Sequence, residues 1–283
     1  MASARKSGSV VLYLPDGDRL RKNGFYVTPN SKRPGIFDLQ NFSQDACQQL
    51  LDIHGKDLEG MEAQEATIQK YFKETQSQKI TDYSGGSMSL IDLLKYASQR
   101  KAHSPMCYVV AVETLMNQTE KPFLMVMDEF NCYYDRGHYF HMEYDEDVRE
   151  PIPYEQISFF EHALRAAGLS SSDDEEAVVA PQLMKKGAII VGLSESHAVP
   201  RSVTDGLISY ASKQSTGESP VHVVEVLRFS DVEADHVLAN FEATGIGKLR
   251  SDHGDTIMDD QEVAYLKTLS GNVGQRLIDV AIV

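Results

Sequence analysis

The sequence predicts an α/β fold in which a parallel β-sheet is flanked by helices, followed by a small helical C-terminal region. Four short apolar runs, rich in β-branched residues or bounded by turn residues, lie at 10–15, 123–129, 187–195 and 221–229. Helical patterns separate these runs, and strands that alternate with helices form doubly wound sheets. The two middle runs are apolar on both faces, as expected for parallel strands buried beneath helices.

The helices are predicted from hydrophobic periodicity and from end signals. One covers roughly 43–53, with Ser43 as its N-cap. Another covers 153–168, with Pro153 in its first turn and Gly168 at its end. Further helices are predicted at roughly 88–99, 107–117, 231–242 and 259–269.

The length of 283 residues suits one large α/β domain with a small appendage. We divide the chain into a core, 1–230, and a C-terminal helical region, 231–283. Within the core, the tract 138–151 is predicted to be a long surface loop. No apolar run approaches the roughly 20 residues of a membrane span. Three cysteines lie far apart without a CxxC pair, which argues against a zinc site or a disulfide framework.

Charge is unevenly distributed along the chain. The net charge is −15, yet residues 1–33 contain seven Lys or Arg and two Asp, a balance of +5, so the remainder carries −15 − 5 = −20. A protein that coats nucleic acid is basic throughout, so any RNA contact here should be local. On charge alone, the basic beginning is best interpreted as a solvated segment, and the alternative is a local RNA contact. The candidate contact residues are Arg19, Arg21, Lys22, Lys32 and Arg33.

The stretch KPFLMVMDEF, residues 121–130, places two carboxylates at the end of an apolar strand. In open α/β sheets, ligands bind beyond the carboxyl ends of the strands. Apolar residues followed by Asp-Glu form the Walker B pattern of P-loop nucleotide hydrolases, in which the Asp holds Mg²⁺ through its water shell and the Glu activates water. The pattern assigns these roles to Asp128 and Glu129. The alternative is a buried strand that stops at an acidic residue in solvent or at a helix cap.

A second strand end adds to this pattern, in GAIIVGLSESHAVPR, residues 187–201. A polar side chain at Ser194 can contact a γ-phosphate or the attacking water, and Arg201 can stabilise transferred charge. Taken singly, Ser194 suits a helix N-cap and Arg201 a surface cation. Together the two strand ends favour a nucleotide-binding fold. Such a fold needs a phosphate loop, GxxxxGK[ST], which 1–283 does not contain. We therefore expect the first strand and the phosphate loop to lie upstream of residue 1.

The order of several phrases resembles the death-associated protein three family, the GTP-binding P-loop proteins of the mitochondrial small ribosomal subunit. These phrases are VVLYLPDGDRL, SLIDLLKYA, PFLMVMDEFNCYY, PIPYEQISFFEHALRAAG, KKGAIIVGLSE and YLKTLSGNVGQRLI. The resemblance extends over nearly all of the chain. It implies an AAA-like P-loop fold, bound GTP or GDP with Mg²⁺, and contacts mainly with other mitochondrial ribosomal proteins. It also implies a matrix location, although the start, MASARKSGS, is too short for an amphipathic transit peptide.

The resemblance also assigns roles to residues. Asp128 and Glu129 correspond to the family's Walker B end, and Ser194 to the end of its sensor-like strand. The implied strand order is 5-1-4-3-2, with the missing first strand between the strands at 187–195 and 221–229. The function implied is that of a structural constituent of the small subunit on a guanine-nucleotide scaffold with little turnover. The alternatives are an AAA-like or signalling ATPase that uses Asp128 and Glu129, and a free-standing interaction module.

Overall fold

The structure is a computed structural model. It describes residues 2–14, 17, 27–73, 87–134, 139–142, 149–166, 184–193, 201–214, 224, 228–244 and 260–270. The chain forms two compact units, Met1–His222 and Val223–Val283. The boundary that we place between 230 and 231 stays a prediction.

The first unit contains all nine strands found among the described residues. They are β1 (Val10–Leu14), β2 (Val27–Pro29), β3 (Phe37–Leu39), β4 (Glu62–Gln64), β5 (Ser87–Ser89), β6 (Phe123–Met127), β7 (Phe140–Met142), β8 (Arg149–Pro151) and β9 (Gly187–Val191). The α-helices of the described residues are α1 (Ala2–Lys6), α2 (Gln40–His54), α3 (Glu65–Tyr71), α4 (Leu90–Gln99), α5 (Ser104–Asn117), α6 (Phe130–Tyr134), α7 (Glu161–Ala166), α8 (Arg201–Gln214), α9 (Asp231–Thr244) and α10 (Asp260–Ser270).

The main sheet is parallel, and its strands lie in the order β1-β6-β9. Its register aligns Val10 with Phe123 and Phe123 with Gly187. The prediction of a parallel α/β sheet flanked by helices is therefore confirmed. The succession of these three strands is also consistent with strands 2, 3 and 4 of a P-loop-like fold.

The outer edge of β1 is covered by side chains of α2. Gln49 accepts from the backbone N–H of Tyr13 at 3.1 Å and donates to its carbonyl at 3.0 Å. The Nε2 atom of His54 accepts from the backbone N–H of Val11 at 3.1 Å. An edge strand exposes unpaired backbone groups, and these side chains satisfy some of them.

Helix α5 lies at the centre of the core. Every residue from Ser104 to Glu113 is buried, as are Leu115 and Met116. A helix that is buried around most of its circumference packs against neighbouring elements on several sides. α5 contacts α2, α3 and α4, and it shares one apolar cluster with the inner residues of β1 and β6, such as Leu12 and Met125.

β9 is more exposed than the sequence predicts. The sequence predicts a strand over 187–195 that is buried on both faces, but Ile190 is 52% exposed and Val191 39% exposed. The strand lies at the edge of the described sheet, and among the described residues only β6 pairs with it. No strand is found at the described positions of the predicted run 221–229, and Val224 is 80% exposed. The other residues of that run, and 194–195, lie outside the described residues.

Two helix predictions are wrong in detail. Ser43 does not cap a helix: α2 begins at Gln40, directly after β3, and Ser43 is buried inside it. The predicted helix 153–168 is divided into a 3₁₀ turn, Tyr154–Gln156, and the short α7. The interruption arises at Ile157, which forms a β-bridge with Phe37. This tertiary contact overrides the local helical pattern.

The predicted loop 138–151 contains a β-ladder. β7 and β8 pair antiparallel, and Tyr139, just before β7, is 1% exposed. Two other antiparallel pairs, β2 with β3 and β4 with β5, are not predicted from the sequence. Their strands have three residues each, too few to show an alternating pattern.

The second unit contains α9 and α10, close to the predicted helices at 231–242 and 259–269. They enclose a small apolar cluster of Ala234, Leu238, Phe241 and Leu266. Among all described helices, in both units, none combines the length and the apolar character that a membrane span requires.

Candidate functional site

Three backbone hydrogen bonds join the carboxyl ends of the sheet strands. The N–H of Asp128 donates to the carbonyl of Leu14 at 3.0 Å, and the N–H of Gly192 donates to Met127 at 2.8 Å. The N–H of Phe130 then donates to the carbonyl of Gly192 at 2.8 Å. Residues that follow β1, β6 and β9 are thereby held at one edge of the sheet. This edge is where ligands bind in open α/β folds.

The acidic pair lies in the bend between β6 and α6. β6 ends at Met127, so the predicted strand 123–129 is two residues too long. The Oδ1 atom of Asp128 accepts from the backbone N–H of Glu129 at 2.9 Å. Glu129 has a φ of 52°, in the left-handed region. Non-glycine residues with this backbone are strained and are concentrated at functional sites.

Two glycines make room for the acidic pair. A Cβ atom at Gly192 would lie 2.9 Å from Oδ1 of Asp128. A Cβ atom at Gly17 would lie 2.5 Å from the carbonyl oxygen of Glu129 and 3.1 Å from that of Asp128. At Gly17 the close atoms belong to the backbone, so the local packing requires glycine there. At Gly192 the close atom is the end of the exposed Asp128 side chain, which would have to shift to admit a Cβ atom. Neither glycine is predicted as a site residue from the sequence, although Gly17 in PDGD and Gly192 directly after AIIV are isolated glycines of the kind that mark a close backbone approach.

α8 is tied to the same region through α6. Asn131 is fully buried, and its amide donates to the hydroxyl of Thr204 at 2.9 Å. This hydrogen bond joins α8, which begins at Arg201, to α6, which directly follows the acidic pair. A role for Arg201 at the acidic pair stays a prediction. Ser194 lies outside the described residues, as do Arg19, Arg21 and Lys22.

The exposed carboxylate of Asp128 also affects a neighbour on β1. Partial burial, and then the negative charge of Asp128, raise the pKa of Tyr13. Carboxylate oxygens are the ligands that Mg²⁺ prefers, and Mg²⁺ retains several waters in such sites. A single exposed carboxylate is compatible only with a magnesium ion that keeps most of its waters, since no group of three or more potential metal ligands is found among the described residues. Binding of Mg²⁺ or a nucleotide at this edge therefore stays a prediction.

The two described residues of the predicted rRNA contact have partners within the first unit. The ammonium group of Lys32 donates to the carbonyl of Gln69. The guanidinium of Arg33 forms an ion pair with Glu161 at 2.5 Å and lies 5.0 Å from the ring centre of Tyr71. The side chain of Arg33 therefore contributes to the packing of the first unit, whereas Lys32 is exposed.

A second polar cluster surrounds Glu113 on α5. Its Oε2 atom accepts from Lys70 at 2.9 Å and from the hydroxyl of Tyr71, and it lies 3.9 Å from Nε2 of His162. Burial raises the pKa of Glu113, but the hydrogen bonds from Tyr71 and Lys70 outweigh it and leave that pKa below its ordinary value. The cluster joins α3, α5 and α7.

The family model of mitochondrial ribosomal death-associated protein 3 matches residues 1–252 of the chain, which is 252 of its 283 residues. The chain belongs to this family. It is a mitochondrial ribosomal protein, as the sequence resemblance implies. No curated protein matches the chain.

As a member of the mitochondrial ribosomal death-associated protein 3 family, the chain is assigned to mitochondria and to ribosomal partners. The family match includes every strand of the main sheet and the acidic pair of Asp128 and Glu129. It also includes α8, with Arg201 at its start, and α9, and it ends before α10.

Proposed function

We propose that the chain is a structural constituent of the mitochondrial small ribosomal subunit, built on a guanine-nucleotide-binding scaffold. The observation that carries this proposal is the family match over residues 1–252. A ribosomal role depends on docking surfaces, which are separate from any ligand site on the same fold. Beyond a role in the mitochondrial ribosome, we propose specifically that the chain belongs to the small subunit and lies in the matrix.

The nucleotide part of the proposal is supported by the geometry at the carboxyl ends of the strands. Asp128 would hold Mg²⁺ through water, with Glu129, Ser194 and Arg201 nearest to the GTP or GDP phosphates. A bound Mg²⁺ neutralises phosphate charge. The close packing of Gly17 against the backbone of the acidic pair supports a site with a fixed shape.

One observation favours the second candidate function, an AAA-like or signalling ATPase. Glu129 has a strained left-handed backbone, and strain of this kind is often retained at catalytic positions. In that case Glu129 activates water, and Glu129→Gln abolishes turnover. In the structural role, the wild-type chain releases phosphate no faster than Glu129→Gln.

Affinity purification tests whether the chain is a component of the small ribosomal subunit. The tagged chain is recovered from mitochondria, and the two rRNAs are quantified in the eluate. The proposal predicts enrichment of small-subunit rRNA over large-subunit rRNA. Enrichment of neither would contradict it. Eluted nucleotide is identified in the same sample, and Asp128→Asn is expected to lower the guanine nucleotide retained.

Among the candidate rRNA contacts in the basic beginning, Arg33 is the one that the fold makes less suited to that role. Arg33 and Lys32 are held by partners within the chain. A limited rRNA contact through this segment is therefore proposed for Arg19, Arg21, Lys22 and the exposed Lys32, with Arg33 less available because of its ion pair. Charge reversal of all five residues that leaves subunit association unchanged would refute that contact.

A further inference from the structure

The edge of the main sheet at which the parallel strands begin carries exposed cations. Lys185 and Lys186 directly precede β9, and Arg5 and Lys6 are the last residues of α1, just before β1. All four side chains are exposed. We call these four residues the basic edge. It lies at the opposite end of the strands from Asp128 and Glu129.

Backbone hydrogen bonds bring the two pairs of cations together. The N–H of Val10 donates to Pro122 at 2.9 Å, and the N–H of Phe123 donates to Lys186 at 3.0 Å. The N–H of Ser9 donates to Ala4 at 3.0 Å, which folds the end of α1 against the start of β1. Neighbouring strands lie about 4.8 Å apart, so the starts of β1 and β9, on either side of β6, are about 10 Å apart. The two pairs of cations lie just before these two strand starts.

Few acidic groups neutralise this edge. The three segments that form it, 4–9, 119–122 and 184–187, contain five basic residues and one acidic residue, Glu120, a balance of 5 − 1 = +4 in a chain of −15. Lys121 is paired with Asp57 at 3.1 Å. The ammonium group of Lys186 donates to the backbone carbonyl of Glu120 at 3.0 Å. Among the described residues, no ion pair of Arg5, Lys6 or Lys185 is found.

We propose that the basic edge binds the phosphate backbone of ribosomal RNA. This inference rests on the proposed ribosomal function, which identifies the RNA as ribosomal. The binding of phosphate itself is inferred from the four exposed cations of the basic edge. None of the three segments contains an exposed large apolar residue. Protein interfaces depend on buried aromatic and apolar anchors, whereas phosphate contacts need only well-placed cations. An edge of exposed charge without apolar anchors therefore suits RNA better than an acidic protein.

The test uses the full chain and a transcript of the small-subunit rRNA from the same mitochondria. Affinity is measured from about 50 to about 200 mM salt for wild type and for the double variant Lys185→Glu/Lys186→Glu. Each phosphate contact contributes about 0.7–0.9 to the slope of log affinity against log salt, so loss of two contacts should lower that slope by about 1.4–1.8. Lys185→Arg/Lys186→Arg keeps the charge and should keep the slope.

Arg100→Glu/Lys101→Glu is the matched control. It changes the net charge by the same amount, both residues are exposed, and they follow α4 just before α5. An equal fall in slope for both Glu double variants would show a general charge effect and would overturn the proposal. Circular dichroism confirms that each variant is folded.

The second arm uses mitochondria and separates this inference from the proposed function. Subunit association that is lost in Lys185→Glu/Lys186→Glu, with RNA affinity and slope unchanged, would indicate an acidic protein partner and overturn the proposal. Failure of the wild-type chain to associate with the small subunit would refute the proposed function instead. The salt slopes of the purified chain would still support or overturn RNA binding by the basic edge.

Discussion

The side-chain amide of Gln49 pairs with the backbone of Tyr13 in both directions, as an adjacent strand would, with distances of 3.1 and 3.0 Å. Within the described part of the chain, β1 has a strand neighbour only on its β6 side. We expect Gln49→Ala to lower the free energy of unfolding by about 1–2 kcal/mol, because two backbone hydrogen bonds lose their partner. Urea unfolding measures the change.

Gln48→Ala is the control for this prediction. The amide of Gln48 bonds only to the exposed Asp52 of the same helix, at 2.6 Å, in the contacts found. Surface changes of this kind usually alter stability by less than about 0.5 kcal/mol. Equal effects of the two alanine substitutions would show that Gln49 does not stabilise the edge of β1.

The two neighbouring strands β6 and β9 should respond differently to truncation. Met125 on β6 is 1% exposed and Ile190 on β9 is 52% exposed. We expect Met125→Ala to destabilise the protein by about 2–5 kcal/mol, and Ile190→Ala by less than about 1 kcal/mol. Chemical denaturation compares them. A large loss at Ile190 would mean that β9 is covered in solution.

The carboxylate of Glu113 makes stability depend on pH. Its pKa is lower in the folded state than the ordinary 4.5. Its contribution is therefore present above pH 4.5 and is lost as the pH falls through the folded-state pKa. At pH 7, Glu113→Gln should destabilise the protein by about 1.5–3 kcal/mol, and this difference should shrink toward about pH 3.

Denaturant unfolding at both pH values measures the difference, with the exposed Glu59→Gln as a control. The control is expected to change stability little at either pH. A difference between wild type and Glu113→Gln that is the same at both pH values would contradict the linkage.

Backbone strain at Glu129 predicts an unusual order of stability. The left-handed conformation costs a non-glycine residue about 1–2 kcal/mol, while glycine loses about 0.5–1 kcal/mol more entropy on folding. Glu129→Gly should therefore be more stable than Glu129→Ala by up to about 1.5 kcal/mol. Thermal and urea unfolding test this order. A Gly variant clearly less stable than the Ala variant would argue against the left-handed backbone.

The main sheet is predicted well from the sequence because each of its strands is marked by a local pattern, a short apolar run bounded by polar or turn residues. The runs at 10–15 and 123–129 are apolar and bounded, and they form β1 and β6. The acidic pair is placed correctly at a strand end because the apolar run stops there. The run at 187–195 is equally apolar, but apolarity alone cannot distinguish a central strand from one at the edge of the described sheet.

Other features depend on contacts distant in the sequence. The bridge of Ile157 to Phe37 divides a segment whose periodicity is helical throughout. The roles of Gly17 and Gly192 arise only when three strand ends meet, since each glycine is defined by the acidic pair it packs against. The ion pair of Arg33 with Glu161 joins residues 128 positions apart, so charge counting alone could not assign it.

Sucrose-gradient sedimentation of mitochondrial extracts that contain the wild-type chain or Glu129→Gln tests the central claim, that this protein serves the small ribosomal subunit as a structural component. The account predicts that both chains migrate with the small subunit, because docking does not depend on turnover. Migration of the wild-type chain with free proteins at the top of the gradient, or loss of Glu129→Gln alone from the small subunit, would contradict it.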